Sequence, residues 1–125
     1  MRDPSTASTN LFAEIKLTGP VLRARLVGPT IGQHEAPIIS KMVQEAISGA
    51  DEAVRHAVLD FTSIQFMGSV GIGMCLEINN KLRPQKGQVI LYGLSGELEG
   101  VMKMTRMDKL FRLVNTLEDL DRALR

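Results

Sequence analysis

A chain of 125 residues and 13.7 kDa has room for one compact domain and little more. With 4% aromatic residues and no Trp, its core must be aliphatic, with seven Met residues as adaptable filling. A net charge of +1, with opposite signs interspersed, excludes the basic footprint of a nucleic-acid binder, and the single cysteine, Cys75, excludes an internal disulfide. No stretch approaches the length of a membrane span and no apolar signal core opens the chain, so the cytoplasm is the expected compartment.

Residues 1–10 are rich in Ser and Thr and read as a frayed tail, with the domain occupying residues 11–125. Leu11, Ala13, Ile15 and Leu17 alternate with Phe12, Glu14 and Lys16, which predicts a strand with one buried face. After Thr18-Gly19-Pro20, a second strand carries Leu22, Ala24 and Leu26 on one side and Arg23 and Arg25 on a solvated side, so the two form an antiparallel hairpin. Gly28-Pro29-Thr30-Ile31-Gly32 breaks the pattern. From about Pro37 the period becomes helical: Ile38, Ile39, Met42, Val43, Ala46 and Ile47 form one stripe, and Gly49 suits the exit.

Residues 57–61, Ala-Val-Leu-Asp-Phe, are nearly continuously apolar and predict a central strand, with Ile64 and Phe66 continuing the signal. A helix follows over residues 74–82, its inner face marked by Ile72, Cys75, Leu76, Asn79 and Leu82, and Pro84 and Gly87 end it. Residues 89–92 are another buried strand. Ser95 precedes a helix with Leu98, Val101, Met102 and Thr105 on one side, while Met104 and Met107 fall off that stripe as an exposed adhesive patch. Residues 110–114 form a last short strand, and Thr116 caps a terminal helix with Asp119 in the acidic place of a capping box. An initial hairpin followed by alternating helices and strands is an α/β domain: a mixed sheet of four or five strands with helices packed on it.

The segment with chemical content is Phe66-Met67-Gly68-Ser69-Val70-Gly71-Ile72-Gly73, between a buried strand and a helix. Ser69 stands where an N-cap belongs, its hydroxyl accepting a first-turn N–H. A phosphate loop would need a Lys-Ser or Lys-Thr after the glycines, and GxGxxG is absent. A nucleophile elbow would need Gly two residues before and after the serine; Gly71 fits, but Met67 does not. Asp60, at the strand end, either orients this turn, meets a partner, or is a solvated terminal carboxylate. His34 and His56 are far apart, with no Cys or His at metal-ligand spacing, so no metal or cofactor is expected.

Val58-Leu59-Asp60-Phe61, Ile64, Phe66-Met67, Ser69, Gly71-Ile72-Gly73, and later residues 86–89, 101–105 and Met107-Asp108-Lys109-Leu110-Phe111 resemble the STAS-domain signature of bacterial anti-sigma-factor antagonists. In that family an apolar strand ending in an acid or amide precedes Phe-Met-Asp-Ser-Ser-Gly-Leu-Gly. The resemblance implies a STAS-like fold and a non-enzymatic regulator that docks an anti-sigma factor, a serine kinase of the GHKL type. Phosphorylation of the first motif serine, here Ser69, would abolish docking. It implies a partner-binding surface of Gly68, Ser69, Val70, Gly71 and Ile72 together with Thr30 and Ile31 in the first loop, and Asp60 beside it. Gly68 stands where the family has Asp and Val70 where it has Ser or Thr, and the 28–31 loop lacks both family acids. A STAS scaffold that is never phosphorylated, and a small-ligand-binding α/β domain, are the alternatives.

Overall fold

The computed structural model describes residues 6–125, with side chains from Thr9 onward. In chain order the elements are β1 (Thr6–Thr9), β2 (Ala13–Thr18), β3 (Val21–Leu26), β4 (Thr30–Ile31), α1 (Glu35–Ser48), β5 (His56–Asp60), β6 (Phe66–Met67), α2 (Ser69–Leu82), β7 (Gln88–Tyr92), α3 (Gly96–Met104), β8 (Arg112–Val114) and α4 (Leu117–Leu124). The main sheet runs β1-β2-β3-β5-β7-β8; β4 and β6 pair separately. β1, β2 and β3 are antiparallel, and β3, β5, β7 and β8 are parallel, with α1, α2 and α3 supplying the crossovers. β5 lies between β3 and β7, which is why its run from Ala57 to Leu59 is buried on both sides of the sheet.

The five expected strands are present, and Thr6–Thr9 adds a sixth at the edge, within the segment read as a tail. Residues 1–5 lie outside the described residues. A four-residue Thr-Ala-Ser-Thr strand paired on one side carries no apolar alternation, so nothing in its residue types announces it.

One face of the sheet packs Ile15, Ala24, Leu59 and Leu91 against Ile39 and Val43 of α1, Met74 and Ile78 of α2, and Leu98 and Met102 of α3. The other face carries a smaller cluster, in which Leu120 and Ala123 of α4 cover Val58, Ile90 and Val114. Each fully buried aliphatic side chain contributes about 1.5–3 kcal/mol, so the first face dominates stability.

Three details depart from the sequence reading. Leu11 does not share the inward face of Ala13 but is 83% exposed. The Asn10 side-chain oxygen accepts the N–H groups of Phe12 and Ala13 at 2.7 and 3.0 Å, and this turn starts the strand only at Ala13. α1 begins two residues before Pro37, where the Glu35 carboxylate accepts the Gly32 N–H at 2.8 Å. In α2 the buried residues are Gly71, Met74, Cys75, Ile78 and Leu82, not Ile72, Leu76 and Asn79, which are half-buried. Met67 lies over Gly71, where a Cβ would stand 2.2 Å from the Met67 Cγ, and Ile72 and Leu76 pack at the margin of the core.

Candidate functional site

The first loop and the glycine-rich turn meet at one end of the sheet. β4 and β6 pair in parallel, Thr30 opposite Phe66 and Ile31 opposite Met67. The Pro29 carbonyl accepts the N–H groups of Gln65 and Phe66, at 2.8 and 3.1 Å, and the Ile31 carbonyl accepts that of Gly68 at 3.1 Å. Gly28 makes this approach feasible: its φ is +66°, and a Cβ would fall 2.6 Å from the Ser63 carbonyl oxygen. The β4 and β6 segments, 36 residues apart by the pairing register, thus lie side by side.

Ser69 is not the cap of α2. Gly68 is the N-cap, in an extended conformation and with no side chain to offer, and Ser69 is the first helical residue. Its side chain is exposed, and no hydrogen bond of its hydroxyl is present among the described residues. In α3 and α4, by contrast, the Ser95 and Thr116 hydroxyls accept the N–H groups of Leu98 and Asp119 at 3.2 and 3.1 Å.

The remaining expected site residues separate into two groups. Thr30, Gly68 and Val70 are exposed around Ser69. Ile31 and Gly71 are buried and Ile72 is half-buried, so they support the surface from beneath: Ile31 is completely enclosed and contributes its carbonyl, not its side chain. Phe66, overlooked as a site residue, is 62% exposed beside Thr30. Phe66 and Met67 are consecutive in a strand, so only one can face the core; the spacing of Met67 and Gly71 was the available signal that Met67 takes that place.

Asp60 belongs elsewhere. Its Oδ1 accepts both the N–H and the hydroxyl of Thr62, at 2.9 and 2.7 Å, fixing the exit of β5. It stands in register with Arg25 and Tyr92, on the sheet face shared with Val58 and α4, away from α1 and α2. Met104 is 85% exposed as expected, but Met107 packs against the core.

From Val70 a groove of about 830 Å³ continues between α1 and α2, lined by Pro37, Ser40, Lys41, Gly73 and Glu77. Lys41 pairs with Glu45 along α1. Cys75 is enclosed beneath α2, and burial pushes its thiol up to about 12, so it holds its proton and is a poor nucleophile. His56 is held below its ordinary value by burial and then by the Arg112 and Arg55 charges. Among the described residues no group of three His, Cys, Asp or Glu could hold a metal ion, and no helix is long and apolar enough to cross a membrane.

The STAS-domain family model matches residues 13–120, and the chain belongs to that family. Solved structures agree in fold. An anti-sigma factor antagonist from Mycobacterium paratuberculosis is 20% identical, with a TM-score of 0.71 and coverage of 95% of this chain and 91% of the other. The Bacillus cell fate determinant SpoIIAA in its phosphorylated form is 22% identical, with a TM-score of 0.67 and coverage of 97% and 99%. A sulfate transporter family protein from Wolinella succinogenes has the same fold at 14% identity, with a TM-score of 0.64 and coverage of 94% and 90%.

Proposed function

We propose that this chain is an anti-sigma-factor-antagonist-like regulator that acts in the cytoplasm by docking an anti-sigma factor, a serine kinase of the GHKL type, and is switched by phosphorylation of Ser69. The observation that carries the reading is the freedom of Ser69. Its hydroxyl is exposed, is not engaged as a helix cap, and stands amid the Thr30, Phe66, Gly68 and Val70 surface. A phosphoryl group at the first residue of α2 adds nearly two negative charges at the positive end of the helix dipole. The fold therefore tolerates it, and its effect falls on the interface. A partner surface matched to Phe66 and Val70 would have to desolvate that charge, which costs several kcal/mol.

The solved relatives support the reading in their own terms, since they include an anti-sigma factor antagonist and a phosphorylated SpoIIAA. Docking, not turnover, is the proposed mode of action; the one cysteine thiol is enclosed and protonated. The test compares partner affinity for the wild type, Ser69→Ala and Ser69→Asp, using a GHKL-type kinase recovered with the wild type as bait, with phosphopeptide mass spectrometry after incubation with that kinase. Ser69→Ala is expected to bind within about threefold of the wild type, and Ser69→Asp at least ~10-fold more weakly. Equal affinities for all three, with no phosphate on Ser69, would leave a scaffold that is never phosphorylated.

A further inference from the structure

The sheet face away from α1 and α2 is only partly covered. α4 closes over Val58, Ile90 and Val114, and β2 and β3 extend beyond it. In the step between α4 and these strands lies a cavity of about 270 Å³, apart from the Ser69 surface. Its walls are chemically unlike. On one side are Lys16 and Arg23; on the other are Leu117 and Leu120 of α4, with Val58 and Tyr92 between.

The register makes the two cations informative. Lys16 stands directly opposite Arg23 across the β2–β3 ladder, and Arg23 opposite Val58 across β3–β5. Like charges facing each other on adjacent strands destabilise a sheet. Two pairs further along, on the same face, the ladder places Glu14 opposite Arg25, and those two form an ion pair. Neither Lys16 nor Arg23 is in an ion pair among the described residues. Asp60 also lines the cavity, but its Oδ1 is engaged with Thr62 and it shares its row with Arg25. Counting Glu14, Lys16, Arg23, Arg25 and Asp60, the lining charges sum to +1, with the excess at the Lys16–Arg23 end.

We infer that this cavity binds a small organic anion with an apolar body, of the class of a medium-chain carboxylate. The head group lies between Lys16 and Arg23, and the body crosses Val58 to Leu117 and Leu120. A carboxylate matches the planar fork of Arg23 and relieves the repulsion with Lys16 in the same step. The apolar body covers Leu117, which is 66% exposed without it. At about 270 Å³ the cavity lies just below the ~300–1,000 Å³ usual for small-molecule pockets, which restricts the body to several carbons.

The probe is octanoate, followed by amide chemical shifts on the intact chain, with octan-1-ol as its uncharged counterpart. Octanoate is expected to shift resonances of β2, β3, β5 and the start of α4, and octan-1-ol to bind at least about tenfold more weakly. The Lys16→Gln/Arg23→Gln double variant is expected to lose octanoate binding by at least about tenfold. That variant, free of ligand, should melt no lower than the wild type, because the like-charge pair is gone, yet octanoate should no longer raise its melting temperature. Ser69→Ala should bind octanoate as the wild type does, which separates this site from the docking surface. Equal binding of octan-1-ol, unchanged binding by the double variant, shifts confined to the α1–α2 groove, or no binding at millimolar octanoate would each overturn the inference.

Discussion

Gly87 and Gly100 have the same absent side chain and opposite expectations. A Cβ on Gly87 would stand 2.5 Å from the Val54 carbonyl oxygen, a backbone atom held where Val54 is buried at the entry to β5. A Cβ on Gly100, inside α3, meets nothing within 4 Å. Gly87→Ala is therefore expected to destabilise by about 1–3 kcal/mol through overpacking. Gly100→Ala should stabilise by about 0.5–1 kcal/mol through helix propensity and a less free unfolded chain. Urea denaturation of the two variants beside the wild type checks both signs at once. At Ser69 the same measurement has a third outcome. Because the hydroxyl caps nothing, Ser69→Ala should change stability by no more than about 0.5 kcal/mol, against the ~1 kcal/mol typical of losing a serine cap.

At the scale of elements, the two hydroxyl caps that are made set the contrast. Thr116 holds the first turn of α4 through the Asp119 N–H, and α4 is the cover of the smaller core cluster. Thr116→Ala is expected to cost about 1 kcal/mol and to increase amide exchange in α4 before it does so in α1 or α2, which hydrogen-exchange mass spectrometry resolves. Ser95 and Thr116 were legible from the chain because each is a hydroxyl residue followed by acidic first-turn residues. Ser69 was misread as a cap because a preceding glycine has no side chain with which to declare itself, and Gly68 is the cap. The strands of the main sheet were legible where burial imposes a pattern, as at Ala57 to Leu59 and along β2 and β3. β1, polar and at the edge, was not. The Ser69 surface was half legible for the same reason: its glycines and Ser69 are punctuation that a sequence displays. Which of Thr30, Ile31, Phe66 and Met67 faces outward depends on the pairing of β4 with β6, and each of those strands is only two residues long.

For the molecule as a whole, Cys75 reports on the larger core because it is enclosed within it, its thiol pushed up to about 12 by burial. Below the ordinary thiol value both the folded and the unfolded chain hold the proton, and Cys75 adds no pH dependence. Above it the unfolded chain releases the proton while the folded chain keeps it, so the unfolded state binds fewer protons and stability falls as pH rises. The loss begins near 9, the unperturbed value, and continues toward 12, at up to ~1.4 kcal/mol per pH unit. The decisive quantity is a difference between two proteins, in which every contribution other than that of the thiol cancels. Cys75→Ala removes the thiol and leaves a small void, and is expected to be less stable than the wild type by about 1 kcal/mol at neutral pH. That gap should be constant up to about pH 8 and then shrink as the wild type alone bears the cost of retaining its proton. Urea denaturation of both proteins at neutral pH and at two values above 9 measures it. A gap that stays constant across the range would mean that the thiol ionises in the folded state, and that the core around α2 opens to water without unfolding the sheet.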